Sequence, residues 1–166
     1  MLLGNYFYNI NKNYKNHFFS GISYDTKTIK KNYIFFAIKG NKMDGNKFIP
    51  IAIKKGCKII ITEKKIKKYK TGILFIHTKN IRKLLAEISF KIYNKVPKNL
   101  IAITGTNGKS SVAEFYYQIL KLNNKKVASI GTLGVKSKRI NFNLNNTTIN
   151  PIQLGQILFK LKKQKV

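Results

Sequence analysis

Apolar and polar positions along this chain change period several times, and each period predicts an element. Residues 1–20 are polar and aromatic, with weak strand character. Residues 21–27 (G-I-S-Y-D-T-K) read as a strand running into a loop. Residues 32–38 (N-Y-I-F-F-A-I) are aromatic and β-branched, the pattern of a buried strand. Residues 58–62 and 73–76 are two further short strands. Residues 39–45 (K-G-N-K-M-D-G) form a turn-rich loop between two glycines. From 46 to 55 the spacing of Phe48, Ile49, Ala52 and Ile53 is helical. Pro50 is tolerable only near the start of that helix, and Gly56 is placed to stop it. Asn80 can cap a helix running to Tyr93, because Ile81, Leu84, Leu85, Ile88 and Ile92 fall on one stripe.

Val96-Pro97-Lys98-Asn99 breaks the helical pattern and reads as a domain boundary, giving domains 1–97 and 98–166. A new block follows: an apolar strand at 100–103, a glycine-spaced turn, and a helical pattern to 122 that Asn123-Asn124 stops. Residues 126–130 (K-V-A-S-I) read as the next strand, so a right-handed βαβ crossover is expected. Gly131-Thr132-Leu133-Gly134 then leaves the end of that strand where α/β sheets bind ligands. Residues 145–148 form a polar loop. Asn150-Pro151-Ile152-Gln153 begins a helix with a cap, a proline in the first turn and Gln at N3, and Ile157, Leu158 and Leu161 supply its apolar face. The expected fold class is α/β, a small first domain followed by the beginning of a Rossmann-like one.

The chemistry concentrates at residues 101–122, I-A-I-T-G-T-N-G-K-S-S-V-A-E-F-Y-Y-Q-I-L-K-L. Strand, glycine turn ending in Lys-Ser, then helix is the layout of a phosphate-binding loop. Gly105 and Gly108 let the backbone approach an anion closely. The helix's first N–H groups are unpaired, and its dipole favours negative charge. Lys109 places a cation at the β- and γ-phosphates, and the Ser110 hydroxyl is a ligand for Mg²⁺. The longer pattern G-x-x-x-x-G-K-[ST] fails, because Ile103 stands where its first glycine belongs. The alternative is a Gly-Asn turn carrying a solvated lysine.

Composition narrows the setting. Hydrophobic residues make up 43%, ample for a core. No apolar run approaches the roughly 18–20 residues of a membrane span, and the first residues, M-L-L-G-N-Y-F-Y-N-I, are too polar for a secretion signal. A single cysteine, Cys57, excludes an internal disulfide and fits the cytoplasm; beside 59–61 (I-I-I) it reads as a buried small hydrophobe. Lys+Arg number 33 against 5 Asp+Glu, a net charge of +28 that attracts polyanions. The cations are nearly all lysine, scattered through every segment, and only Arg82 and Arg139 are the type that reads base edges. We read the excess as compositional drift rather than a nucleic-acid patch. His17 and His77 are lone residues, read as structural.

Three segments in order, G-T-N-G-K-S-S, S-I-G-T-L-G and N-T-T-x-x-P, resemble the Mur ligases of peptidoglycan synthesis. Upstream, Y-D-T-K-T-I-K-K-N-Y-I-F-F-A-I-K-G and D-G-N-K-F-I-P-x-A-I-x-x-G-C are similar to the first domain of those enzymes. The resemblance runs from about Gly21 to the last residues and is nearest to the MurE type. It implies a UDP-substrate domain followed by a P-loop central domain. It implies an ATP-dependent ligase that activates a carboxylate of UDP-N-acetylmuramoyl-L-alanyl-D-glutamate as an acyl phosphate, which a diamino acid's amine displaces. Gly105, Thr106, Asn107, Gly108, Lys109, Ser110 and Ser111 would hold ATP, with Lys109 catalytic and Ser110 on Mg²⁺. Tyr24, Thr26, Asn41, Lys42 and Met43 would contact the UDP-sugar, and Asn146, Thr147 and Thr148 the same substrate from the central domain. Thr26 keeps the hydroxyl of the family's usual Ser, whereas Lys27 replaces an Arg and loses its bidentate fork.

The family continues for several hundred residues that carry a metal-binding Glu and His, a modified lysine and the amino-acid pocket. The expectation is therefore a chain equivalent to the first domain and the opening of the ATPase domain, monomeric and unable to ligate by itself. Two other readings remain: another Mur-like or folylpolyglutamate-type ligase, and a basic nucleic-acid-binding protein. The N-T-T loop and the first domain favour the MurE type over another ligase.

Overall fold

A computed structural model describes residues 1–8, 10–41, 43–66, 72–143 and 149–166. The chain divides into two compact units, Met1–Ile92 and Tyr93–Val166. Among the described residues no helix is long and apolar enough to cross a membrane.

The first unit is built on a four-stranded sheet in the order β1 (Gly21–Ser23), β2 (Tyr33–Phe36), β3 (Ile59–Thr62) and β4 (Leu74–His77). Every pairing is parallel, with Ile22 opposite Ile34, Ile34 opposite Ile59, and Ile61 opposite Ile76. A parallel strand covered on both faces has no polar side to show, which is why β2 and β3 are unbroken apolar runs. Phe35 and Ile60 point to one face and join Ile29, Ala37, Ile49, Ala52 and Cys57 in a single core. Ile34, Phe36 and Ile61 point to the other face, and each is fully buried.

Helix α1 (Ile49–Lys54) connects β2 to β3 and follows a 3₁₀ turn at Gly45–Phe48, with Pro50 in its first turn. Gly56 ends it at φ +92°. Helix α2 (Ile81–Ile92) starts at Asn80, whose Oδ1 accepts the Lys83 N–H at 2.9 Å, and it buries Ile81, Leu85 and Ile88. The first twenty residues, expected as weak strand, form 3₁₀ turns at Leu3–Asn5 and Lys12–Tyr14 and one isolated bridge, Leu2 to Phe18. Leu3 and Phe19 are sealed inside, and the rings of Tyr6 and Phe19 meet edge-on.

The second unit differs from its expected topology. Residues 100–103 form no strand, and Leu100 and Ile101 are more than half exposed. The expected strand at 126–130 appears as β5 (Ala128–Gly131). It pairs antiparallel with β6 (Gly134–Ser137), which pairs with β7 (Asn141–Phe142). The βαβ crossover is therefore absent among the described residues. A hairpin closes two residues of loop, whereas a crossover closes a whole helix, and the shorter loop is entropically cheaper. No strand of the described residues pairs with 100–103.

Helix α3 (Lys109–Leu122) follows the glycine turn and buries Tyr117, while Val112, Phe115, Ile119 and Leu122 line an exposed face. Helix α4 (Pro151–Lys163) starts as the sequence indicates: Asn150 Oδ1 accepts the Gln153 N–H at 2.9 Å. Its Ile157 and Leu161 pack with Val135 as the unit's core.

Candidate functional site

The glycine turn at 104–108 delivers the chain to the first turn of α3. Gly105 and Gly108 lie at φ +151° and +75°, conformations a side chain disfavours. Nothing lies within 4 Å of where a Cβ on Gly108 would stand, so the turn faces open space. The first hydrogen bond of the helical ladder runs from Val112 N–H to Gly108 O at 2.9 Å. The N–H groups of Lys109, Ser110 and Ser111 precede that ladder and form the positive end of the helix dipole. Residues 104–111 are exposed throughout. Exposed donors, glycines and a positive dipole end together suit a polyphosphate.

Lys109 turns back onto its own loop. Its ammonium donates to Gly105 O and, at 3.1 Å, to Thr106 O. The cation is thus held at the mouth of the turn by two exposed carbonyls, neutral partners that an anionic phosphate oxygen outcompetes because it adds the attraction of opposite charges. Ser110 Oγ stands 3.0 Å from Thr132 Oγ1 on the β5–β6 hairpin. One turn further along α3, Glu114 pairs with Lys136 of β6 at 2.9 Å and accepts from Gln118 at 2.8 Å. The Lys136 ammonium, then the Gln118 amide, hold the Glu114 carboxyl below its usual range. Ser110, Glu114, Thr132 and Lys136 line one shallow notch. The sequence placed Thr132 in a ligand-facing loop, but its contact with Ser110 and the Glu114–Lys136 pair escaped sequence reasoning, although Ser110 and Glu114 are four apart and so share a helix face.

In the first unit, Tyr24 and Thr26 sit in the loop after β1, at the carboxyl end of a parallel strand, where open α/β sheets leave room for ligands. The loop is closed from within: the buried Ser23 hydroxyl bonds Thr28 Oγ1 at 2.7 Å and Asp25 O at 2.8 Å, and Asp25 Oδ1 accepts the Lys27 N–H at 2.8 Å. Tyr24 is left exposed, and Thr26 O accepts the Lys55 ammonium at 2.7 Å.

Asn41 and Met43 occupy the loop after β2 and are exposed. That loop is pinned at its base by Gly45 N–H to Ile38 O at 2.9 Å, so close that a Cβ on Gly45 would meet Ile38 O at 2.4 Å. Asp44, Asn46 and Thr62 continue the pin: Asn46 donates to Asp44 Oδ1 at 2.6 Å, Thr62 donates to Asn46 Oδ1 at 2.6 Å, and Lys64 pairs with Asp44 at 2.9 Å. The Lys64 ammonium first, then Asn46, holds the Asp44 carboxyl well below the usual carboxylate range. The buried Thr62 hydroxyl carried no sequence signal beyond its place at the end of an apolar strand. Lys42, Asn146, Thr147 and Thr148, the other expected substrate contacts, lie outside the described residues.

His77 Nε2 lies 3.1 Å from Glu63 O, and the His17 ring meets Tyr14 edge-on. Among the described residues no group of three or more His, Cys, Asp or Glu could hold a metal, so Ser110 is the one expected metal ligand with a position.

Residues 18–98 match the family described as Mur ligase family, catalytic domain, and residues 103–166 match the Mur ligase middle domain. The UDP-N-acetylmuramoyl-L-alanyl-D-glutamate--2,6-diaminopimelate ligase of Rickettsia prowazekii (strain Madrid E) is 37% identical over 163 residues, 96% of this chain and 34% of the relative. A solved UDP-N-acetylmuramoyl-L-alanyl-D-glutamate--2,6-diaminopimelate ligase shares the fold with a TM-score of 0.75 at 22% identity, covering 95% of this chain and 32% of that one. A MurF ligase from Thermotoga maritima, solved in complex with ADP, gives a TM-score of 0.52 at 22% identity over 83% of this chain and 28% of that one. The chain spans about a third of the length of the curated relatives it matches.

Proposed function

This chain belongs to the Mur ligase family, and we propose that it forms the UDP-substrate and ATP-phosphate sites of a peptidoglycan-precursor ligase of the MurE type. The reaction is ATP-dependent amide-bond formation. A carboxylate of UDP-N-acetylmuramoyl-L-alanyl-D-glutamate is activated as an acyl phosphate, and the amine of a diamino acid displaces the phosphate. We assign residues 1–97 to the UDP-substrate domain and 98–166 to the start of the ATP domain. The setting is the cytoplasm and the chain a monomer.

The observation that carries this reading is the exposed G-T-N-G-K-S turn at the start of α3, with two glycines at positive φ and three N–H groups ahead of the helical ladder. Those donors, from Lys109, Ser110 and Ser111, bind the phosphates, and Thr106 and Asn107 shape the turn around them. Lys109 gives up its two carbonyl partners and neutralises charge on the oxygens that carry it during phosphoryl transfer. Ser110 would offer its hydroxyl to Mg²⁺, and the ion when bound would supply charge neutralisation to the phosphates. Tyr24, Thr26, Asn41, Lys42 and Met43 hold the uridine end, and Asn146, Thr147 and Thr148 contact the same substrate from the central domain. No Ser/His/Asp constellation is required, because phosphoryl transfer rests on positioning and charge neutralisation.

Amide-shift mapping tests this with two ligands added separately. ATP is expected to perturb residues 105–111, and UDP-N-acetylmuramoyl-L-alanyl-D-glutamate to perturb Tyr24, Thr26, Asn41 and Met43. Shifts from both ligands confined to the same residues would refute the two-site reading.

A further inference from the structure

Thr132 faces Ser110 across the gap between the β5–β6 hairpin and the first turn of α3, hydroxyl to hydroxyl at 3.0 Å. Three features hold it there. It is the first of the two loop residues between the paired Gly131 and Gly134, so the ladder sets its place. Gly134 lies at φ +95° with its Cα packed so tightly that an added Cβ would stand 2.4 Å from Phe142 O, so the loop has little room to shift. Lys136 of the same hairpin is bonded to Glu114 of α3 at 2.9 Å. The hairpin is therefore tied to one helix face at residues 110 and 114.

We propose that Thr132 is a positioning residue for the Ser110 hydroxyl: it accepts the Ser110 proton and so turns that oxygen's lone pairs toward a divalent cation at the phosphate loop. The inference rests on the reading of residues 105–111 as a Mg²⁺–ATP site. A hydroxyl has one donor and two acceptor positions. A cation takes a lone pair, so the O–H has to point elsewhere. Water can accept it in many directions, whereas Thr132 Oγ1 accepts it in one. Groups behind a metal ligand orient it in this way, and losing one costs about 10- to 100-fold in metal affinity or activity. Thr132 itself touches neither nucleotide nor metal.

The test uses this chain, ATP and MgCl₂. The ATP dissociation constant is followed as MgCl₂ is added, for wild type, Thr132→Val and Thr132→Ser. Without metal the three bind ATP alike. The MgCl₂ concentration for half-maximal tightening rises about 10-fold in Thr132→Val and returns to the wild-type value in Thr132→Ser. In a Ser110→Ala background, Thr132→Val adds nothing further. An unchanged metal response in Thr132→Val, a fall in metal-free affinity of the same size, or failure of Thr132→Ser to restore the response would each overturn the positioning role and leave the phosphate site standing. Absence of ATP binding by the wild type would overturn the phosphate-site reading and this inference with it.

Discussion

Replacing Gly134 with Ala, alongside Gly131→Ala as its partner experiment, isolates what shapes the hairpin beside the glycine turn. Gly134 lies at φ +95°, where an L side chain costs about 1–2 kcal/mol. Its added Cβ would also lie 2.4 Å from Phe142 O and 3.0 Å from Asn143 Cα, both backbone atoms that no rotamer change can move aside. Strand β7 has to retreat, which strains the Val135–Phe142 and Lys136–Asn141 pairings. One or two hydrogen bonds lost there cost about 1 kcal/mol each. The combined cost is about 2–4 kcal/mol. At Gly131 an added Cβ meets nothing within 4 Å and φ is not positive, so that change is expected within about 0.5 kcal/mol. Hydrogen exchange of the β5 and β6 amides reads the difference directly. Gly134→Ala should speed it about 30- to 700-fold, or to the unprotected limit, and Gly131→Ala should leave it nearly unchanged. Equal exchange in the two variants would refute the steric reasoning.

Three further outcomes are expected. Ile60→Ala empties the centre of the first unit, where Ile60 is fully buried among Phe35, Ala52 and Cys57, and should cost about 2–5 kcal/mol in urea unfolding of that unit; a loss below 1 kcal/mol would contradict the packing. The Glu114 carboxyl is held below its ordinary 4.5 by Lys136, so its tie to β6 contributes fully above that pH and is lost as pH falls through the lowered value; the protection of the residue-136 amide, taken relative to the intrinsic exchange rate at each pH, should fall on acidification below 4.5, and Lys136→Met should abolish that fall. Burial pushes the Cys57 thiol up to about 11, so iodoacetamide at pH 8 should label native protein far more slowly than urea-unfolded protein, and equal rates would place Cys57 at the surface.

How much the sequence disclosed follows from the range of the forces involved. The glycine turn, Lys109, Ser110 and the cap at Asn150 are local, each set by residues within a few positions, and all were legible. The strands of the first unit were legible as short β-branched and aromatic runs such as 59–61, whereas their parallel pairing, which depends on residues far apart in sequence, was not read. The antiparallel hairpin was not. K-V-A-S-I fits a parallel or an antiparallel strand equally, and the outcome turned on Gly134 closing a two-residue loop at positive φ. Leu100 and Ile101 satisfied the apolar pattern of a strand yet are exposed, since a strand needs a neighbour that the pattern cannot supply. The Ser110–Thr132 and Asn46–Thr62 bonds were invisible because each partner lies 16 or more residues away, and small polar side chains carry no periodicity.

The most direct test of the phosphate site is ATP binding by this chain and by its Lys109→Ala variant, measured by calorimetry in MgCl₂, with Lys121→Ala as control for the loss of a cation on the same helix. Among the described residues Lys109 bonds only the exposed Gly105 and Thr106 carbonyls, so its removal is expected to leave the fold intact. A charged hydrogen bond to phosphate is worth about 1.5–3 kcal/mol, so ATP should bind about 10- to 100-fold more weakly to Lys109→Ala and unchanged to Lys121→Ala. Equal affinity in all three proteins would contradict the assignment of residues 105–111 to the phosphates.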